Sequence, residues 1–220
     1  MWGRRRVKAE SIGLYKFWLV NKIDGTVARV AKRKVNKPSA IVIYHPIEDE
    51  IKVADEIINN ILTSLIDANF HCFVGLPNSD PGNINIRNKI NCLAATHDDI
   101  TVYGNLGREE FVSLFKSSAL IVGNSSAGLL EAASIPIPCI NVGVRQMGRS
   151  CGGNVIFVGT STSDITKGIT QATSEPFKSS IIDVNNPYGD GYSANRAYSL
   201  VKSIDFQDML AKKEDPLNVK

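Results

Sequence analysis

The most constraining feature of the sequence is a regular alternation of short apolar runs with longer amphipathic segments. The first run is Ala40–Tyr44, and residues 49–68 then carry apolar side chains at helical spacing. Further apolar runs follow at residues 71–76, 100–103, 119–123, 138–142 and 154–158. Parallel strands need crossover helices, and right-handed crossovers place helices on both faces of the sheet. The alternation therefore predicts an α/β fold with a doubly wound parallel sheet.

Turn residues and a change in composition divide the chain into three parts. Pro38 and Ser39 mark the first boundary, so we interpret residues 1–37 as a basic N-terminal extension and residues 38–205 as the α/β domain. Residues 206–220 are interpreted as a polar tail. Within the domain, helices are predicted at residues 49–68, about 84–95, 108–117, 126–134, 162–173 and 192–203.

Charge is distributed unevenly along the chain. Eleven of the 25 Lys and Arg residues lie in residues 1–37 against two acidic residues there, whereas the remainder is acidic overall. Contact of this segment with nucleic acid or anionic lipid is one interpretation. A solvated extension, or the remnant of an altered N-terminal part, is the interpretation that we favour, so no nucleic-acid partner is expected.

Composition and cysteine spacing exclude several other classes of protein. Hydrophobic residues make up 43% and charged residues 21%, as in ordinary globular proteins. No apolar run approaches the roughly 18 residues of a membrane span, and no secretory leader is recognisable. The four cysteines form no Cys-x-x-Cys pair and the three histidines are far apart, so neither a metal site nor a cofactor is expected. The reducing cytoplasm is the expected compartment.

The strongest local motif is Gly123-Asn-Ser-Ser-Ala-Gly-Leu-Leu-Glu131, which follows an apolar run and opens a predicted helix. In doubly wound sheets the ligand lies at the carboxyl ends of the strands. Unpaired N–H groups of a first helical turn, with the hydroxyls of Ser125 and Ser126, favour a phosphate, and Gly128 allows close approach. Glu131 is a candidate to accept hydrogen bonds from a ribose diol. An ordinary serine cap and an exposed helix glutamate are the alternatives.

Three more polar residues follow the ends of predicted strands. Arg145 and Arg149 lie in Asn141-Val-Gly-Val-Arg-Gln-Met-Gly-Arg149, and the planar donor fork of an arginine suits a diphosphate. His45 ends the first strand before Pro46 and is a candidate to donate to a phosphate or to act as an acid or base. Surface charges and a structural histidine are the corresponding alternatives.

Taken together, these segments resemble one family closely. His45-Pro46, Gly75-Leu-Pro-Asn78, the two longer motifs and Tyr188-Gly-Asp-Gly191 have the order and spacing of the C-terminal domain of hydrolysing UDP-N-acetylglucosamine 2-epimerases. The resemblance covers about residues 40–205. It implies a Rossmann-like domain that forms the C-terminal half of a GT-B fold, a UDP-sugar substrate, and a place in sialic-acid or related biosynthesis.

The resemblance also implies roles for individual residues. The expected UDP-binding and substrate-binding residues are Asn78, Ser125, Ser126, Gly128, Glu131, Arg145 and Arg149. Among them, the two serines match diphosphate-binding serines, and Glu131 matches the glutamate that holds the ribose hydroxyls. His45 matches the histidine near the diphosphate and the scissile bond, and it is the one catalytic residue expected in this chain.

A second half of the enzyme is implied as well. Family members are nearly twice this length, and their N-terminal domain supplies the acidic residues proposed to move the proton of sugar C2. In the implied reaction, loss of that proton drives anti elimination of UDP, and water then adds with inversion to release N-acetylmannosamine. Residues 1–37 are too short and too basic to replace that domain, so a separate N-terminal-domain polypeptide is a candidate partner. A homo-oligomer is also expected.

Two other functions fit parts of the pattern. The donor-binding domain of a GT-B glycosyltransferase would share the serine loop and the glutamate, although the Arg-Gln-x-Gly-Arg and Tyr-Gly-Asp-Gly segments argue against it. A non-catalytic nucleotide-sugar-binding remnant, acting as a sensor or as the partner of an enzyme, would bind without turnover.

Overall fold

A computed structural model describes residues 25–206. These residues contain one parallel sheet of six strands. The strands are β1 Ser39–Ile43, β2 His71–Gly75, β3 Ile100–Tyr103, β4 Leu120–Gly123, β5 Cys139–Val142 and β6 Val155–Val158. Their order is β3-β2-β1-β4-β5-β6, and every neighbouring pair is parallel. The chain thus starts at the centre, winds to one edge, returns and winds to the other, which confirms the predicted doubly wound sheet.

Helices cover both faces of the sheet. The α-helices are α1 Thr26–Ala31, α2 Ala54–Asp67, α3 Asn83–Thr96, α4 Arg108–Ser117, α5 Ala127–Leu130, α6 Thr162–Thr173, α7 Glu175–Ser180 and α8 Ser193–Ser203, with 3₁₀ helices at Glu48–Val53 and Ala132–Ser134. Successive strand residues point to opposite faces. Val42 therefore packs with α2, α3 and α6, whereas Ile41 and Phe73 pack with α4 on the other face.

Two predicted helices are interrupted. The prediction of one helix over 126–134 is wrong, because α5 ends at Leu130 and a separate 3₁₀ turn follows at Ala132–Ser134. Pro136 stands just beyond and prevents the helix from continuing. The helix predicted from residue 49 begins as a 3₁₀ turn, in which Glu50 turns inward and accepts a hydrogen bond of 2.7 Å from the hydroxyl of Tyr44.

Part of the basic N-terminal segment packs against the sheet domain. Thr26 at the start of α1 is buried, and its hydroxyl lies 3.0 Å from that of Ser113 on α4. Val27 and Val30 pack against the same apolar cluster as Phe115. Helix α1 precedes the domain boundary predicted at residue 38 and yet packs against the domain. The boundary itself stays a prediction. The rest of the extension, residues 1–24, and the polar tail beyond residue 206 lie outside the described residues.

The last described residues form a separate unit. Residues 189–206 group apart from residues 25–188 in their contacts, and they contain α8. Within this unit, Arg196 donates two hydrogen bonds of 2.7 Å to the carboxylate of Asp190, and these hold the pKa of that carboxyl well below its usual range. No helix within residues 25–206 is long and apolar enough to cross a membrane.

Two glycines let the chain pack closely beside the end of β4. Gly123 has a φ of +134°, and a side chain there would collide with the carbonyl of Ile43 on β1. A Cβ at Gly128 would stand 2.5 Å from Sγ of Cys139, so α5 lies directly against β5. Cys139 is buried, and burial raises the pKa of its thiol to about 12.

Candidate functional site

Asn124 joins the loops that follow β1 and β4. Its side chain is completely buried. The amide oxygen accepts a hydrogen bond of 2.8 Å from the backbone N–H of His45, and the amide nitrogen donates one of 2.8 Å to the His45 carbonyl. This reciprocal pair fixes the two loops to each other. The sequence placed Asn124 at a strand end without assigning it a role.

The same asparagine holds the loop that follows β5. Its backbone carbonyl accepts hydrogen bonds of 2.9 Å from Nη1 of Arg145 and from the side-chain amide of Gln146. Gln146 in turn accepts a hydrogen bond of 2.9 Å from Arg149. The structure therefore brings Arg145 and Arg149 to the loops of His45 and Ser125, and both guanidinium groups belong to exposed residues.

His45 is half-buried, and its surroundings favour the neutral form of the imidazole. Burial lowers the pKa of its imidazole, the nearby Arg145 lowers it further, and Asp80 opposes the shift. Nδ1 accepts a hydrogen bond of 3.3 Å from the backbone N–H of Asn78, so the proton of the neutral ring belongs on Nε2. An imidazole in this state has one donor to offer to an anion. The Asn78 side chain, for its part, donates to Asp80 at 2.5 Å.

The serine loop presents backbone donors rather than a long helix. Helix α5 has only four residues, so little of the helix dipole expected from the sequence is available. In the described part of the chain, the backbone N–H groups of Ser125 and Ser126 have no hydrogen-bond acceptor, and neither does the Ser126 hydroxyl. Ser125 accepts a hydrogen bond of 3.3 Å at Oγ from the N–H of Ala127. Three donors of this loop are thus available to a ligand.

Glu131 lies at the break between α5 and the following 3₁₀ turn. Its side chain is 17% exposed, and its carboxylate accepts hydrogen bonds of 3.2 and 3.5 Å from Nη1 of Arg108. Burial raises the pKa of this carboxyl, and Arg108 acts in the opposite direction. Arg108 was not among the residues predicted from the sequence. The one available signal was its position directly after the Gly104–Gly107 loop at the end of a strand.

A cavity of about 660 Å³ opens at the carboxyl ends of β1, β2 and β3. His45 and Asn78 line it together with Ile43, Gly75, Leu76, Pro77, Arg87, Tyr103, Gly104, Asn105, Leu106 and Phe111. Leucine and phenylalanine side chains give it apolar walls, which suit a flat ring. Because His45 belongs both to the cavity and to the Asn124 network, the cavity adjoins the serine loop.

The described residues offer a site for an anionic ligand beside an apolar cavity, and they offer no metal site. Within residues 25–206, no three His, Cys, Asp or Glu side chains are grouped so that they could hold a metal ion. Donors predominate, from Arg145, Arg149, His45 and the serine amides, and the acidic side chains nearby are those of Glu131 and Asp80. This pattern fits a phosphorylated ligand that also carries hydroxyl groups.

The fold defines a Rossmann-like α/β domain, and comparison with known proteins identifies its family. Residues 14–202 match the family model described as UDP-N-acetylglucosamine 2-epimerase. The chain therefore belongs to the UDP-N-acetylglucosamine 2-epimerase family, which confirms the family inferred from the sequence motifs.

Curated relatives point to the same family. The chain is 32% identical over 178 residues to the UDP-N,N'-diacetylbacillosamine 2-epimerase (hydrolyzing) of Legionella pneumophila subsp. pneumophila, covering 81% of this chain and 46% of that protein. It is 28% identical to the polysialic acid biosynthesis protein P7 of Escherichia coli, covering 74% of this chain and 42% of the relative. The chain thus spans less than half the length of each of these relatives.

Solved structures share the fold. The S. aureus MnaA–UDP co-structure superposes with a TM-score of 0.64 at 18% identity, over 88% of this chain and 53% of that one. The UDP-GlcNAc 2-epimerase of Neisseria meningitidis bound to UDP-GlcNAc gives a TM-score of 0.60 at 21% identity, over 85% and 50%. At these identities the likeness establishes the fold, and again about half of each neighbour is matched.

The Asn124 network yields a first prediction. Asn124→Asp keeps the acceptor for the His45 N–H but replaces the donor to the His45 carbonyl with a second acceptor. Two oxygens then face each other in a buried position, so we expect a loss of about 2–4 kcal/mol in the free energy of unfolding. Urea denaturation measures it, with Asn88→Asp on the exposed surface of α3 as the matched control. Equal stability of the two variants would contradict the role given to Asn124.

The lowered pKa of His45 yields a second prediction. Between the folded-state pKa and the unfolded value near 6.5, the unfolded chain binds more protons, so stability falls as the pH drops through this window. His71, whose pKa is lowered mainly by burial, contributes with the same sign. We expect His45→Gln to lose less stability than wild type between pH 7.5 and 5.5, and the double variant with His71→Gln to lose least. Parallel urea midpoints in wild type and His45→Gln at both pH values would refute this.

Proposed function

We propose that this chain is the nucleotide-sugar-binding part of a hydrolysing UDP-N-acetylglucosamine 2-epimerase, and that UDP binds at the carboxyl ends of the strands. The observation that carries the proposal is the Asn124 network. It places the serine loop, His45 and Arg145 around one point, next to a cavity large enough for a base.

The diphosphate lies in this proposal between the serine loop and the arginines. The backbone N–H groups of Ser125 and Ser126 and the Ser126 hydroxyl supply three donors, and Arg145 adds a permanent positive charge. Neutral His45 donates from Nε2, since Nδ1 is already used as an acceptor. Donors that are fixed before binding need little rearrangement. They therefore favour binding of the diphosphate and also stabilise it as it leaves the sugar.

The ribose of the nucleoside contacts Glu131, and the base lies in the cavity. An ionised Glu131 carboxylate keeps lone pairs beyond those used by Arg108 and can accept two hydroxyl donors from a ribose. Burial raises the pKa of the Glu131 carboxyl overall, and the positive charge and hydrogen bonds of Arg108 oppose part of that shift. The base enters the cavity, where Leu106 and Phe111 provide apolar contact.

The names of the curated relatives indicate which sugar the proposed UDP-sugar substrate carries. The Legionella relative is named for UDP-N,N'-diacetylbacillosamine, and a Campylobacter jejuni relative that is 28% identical is named as a GDP/UDP-N,N'-diacetylbacillosamine 2-epimerase. The Escherichia coli relative is named for polysialic acid biosynthesis. These names support UDP-N-acetylglucosamine or its 4-acetamido-6-deoxy relative as substrate, with sialic-acid-type products downstream.

Chemistry requires groups that the described residues do not bring together. A base must take the proton from C2 while the C1–oxygen bond breaks and UDP leaves, and water must then add across the resulting double bond. Arg145 and His45 stabilise the departing diphosphate. The proton-transfer groups come from an N-terminal domain, either in the same polypeptide or in a separate one, which completes a GT-B cleft. A homo-oligomeric state and a cytoplasmic location stay predictions.

UDP titration tests the binding proposal. We expect wild-type chain to bind UDP weakly, and Glu131→Ala and Ser126→Ala each to weaken it about tenfold or more, because each removes a hydrogen bond to a charged group. Glu109→Ala, which removes an exposed carboxylate on α4, is the matched control and should bind as wild type does. Absence of heat and of thermal stabilisation at millimolar UDP would refute the proposal.

Turnover is tested by supplying the second half. In a chimera that joins the N-terminal half of the Legionella relative to this chain, we expect UDP-N-acetylglucosamine or the diacetamido sugar nucleotide to yield UDP and the free 2-epimeric sugar. The chain alone should release neither product. Glu131→Ala in the chimera is the control for use of this site. Sugar transfer to an added acceptor would favour the glycosyltransferase alternative, and tight binding without turnover would favour the non-catalytic one.

A further inference from the structure

The cavity wall contains a buried hydroxyl that has no hydrogen-bond partner. Tyr103 ends β3 and is 9% exposed, and its ring packs in the apolar cluster with Ile41 and Phe73. Its hydroxyl oxygen has no partner among the described residues, although the side chain lines the cavity. Buried polar groups in proteins are almost always hydrogen-bonded, so this exception calls for a physical explanation.

The space around the hydroxyl is preserved by a glycine. Tyr103 pairs with Gly75 across the sheet, and a Cβ at Gly75 would stand 2.9 Å from the hydroxyl oxygen. Any side chain at that position would press against the phenol. Because residue 75 has none, the end of the phenol lies directly over the Gly75 backbone, at the edge of the cavity that both residues line.

We propose that Tyr103 is a specificity-determining residue, whose hydroxyl donates a hydrogen bond to a carbonyl oxygen of the pyrimidine base in the cavity. This inference rests on the proposed function, because it assumes that the base of UDP enters this cavity. It adds a hydrogen-bond donor within the part of the wall formed by Ile43, Leu106 and Phe111.

The chemistry of the phenol fits a donor. Burial raises the pKa of Tyr103 well above its usual range, so the hydroxyl keeps its proton at every physiological pH. A uracil ring presents carbonyl oxygens along its edge, and each is an acceptor. Binding would therefore supply the partner that the hydroxyl lacks in the ligand-free chain, and the desolvation cost already present before binding would be recovered.

The thermal midpoint of the ligand-free Tyr103→Phe variant distinguishes a role in binding from a purely structural role. If the hydroxyl stabilised the ligand-free fold, Tyr103→Phe would lower its thermal midpoint. If the hydroxyl is unsatisfied until a base arrives, the same change removes a buried polar group that has no partner. The midpoint of ligand-free protein should then stay unchanged or rise, while affinity for the base-bearing ligand falls.

The experiment is isothermal titration of the full chain and of its Tyr103→Phe variant with UDP and with ribose 5-diphosphate, which lacks the base. We expect about a three- to tenfold loss of UDP affinity in the variant, the size of one hydrogen bond, with the affinity for ribose 5-diphosphate unchanged. Tyr198→Phe, which removes an exposed hydroxyl on α8, is the matched control. Thermal midpoints without ligand are measured for all three proteins.

The possible outcomes distinguish a failure of the role given to Tyr103 from a failure of the proposed UDP binding. Unchanged UDP affinity, an equal loss for both ligands, or a lower ligand-free midpoint in Tyr103→Phe would each overturn the assignment of Tyr103. If wild type binds neither ligand, the proposed function fails first. If wild type binds UDP no better than ribose 5-diphosphate, UDP binding survives but the base does not occupy the cavity, and the inference is again overturned.

Discussion

Two hydrogen bonds between Asn124 and the backbone of His45 are the constraint on which the site depends. Each is 2.8 Å long, and together they use both polar atoms of a fully buried amide. They are possible because Gly123 adopts a positive φ and lets β4 approach the end of β1 without a side chain between them. The Asn124 carbonyl then anchors Arg145 and Gln146. Three loops thus share one residue, and no other amino acid supplies an acceptor and a two-proton donor in so short a side chain.

This arrangement changes the physical account of anion binding. From the sequence, a helix of about nine residues after β4 was expected to offer the unpaired N–H groups of its first turn to a phosphate. The observed α5 is a single turn, so attraction must come from individual donors and from arginine charge. Donors held by packing are already oriented before the ligand arrives. The loop after β5 is supported in the same way, since buried Glu50 accepts from Tyr44 and from the backbone N–H of Val144 at 3.5 Å.

The sequence predicted what depends on local pattern and missed what depends on distant contacts. All six strands were found within one residue of their predicted limits, because buried parallel strands are continuous apolar runs bounded by turn residues. The positions of His45, Ser125 and Arg145 followed from their places after those strands. Arg108 lies 23 residues from Glu131, and Tyr103 meets Gly75 only through strand pairing. Neither pair has a spacing that periodicity can detect, so the cavity and its polar wall became visible only in three dimensions.

The exposure of the arginines gives a physical reason why, under the proposed function, this chain would bind UDP without turning over the sugar nucleotide. Arg145 and Arg149 belong to the part of the site that water reaches freely, whereas Glu131 and Tyr103 are largely enclosed. Electrostatic stabilisation of a leaving diphosphate is weak in water and strong where water is excluded. In the proposed function, the nucleoside therefore contacts enclosed residues, whereas the side where charge would develop is open to water. A second domain laid over the arginines would supply the acid and base and would also strengthen the interactions that this chain already provides, so the covering surface is as necessary to the chemistry as the catalytic groups it carries.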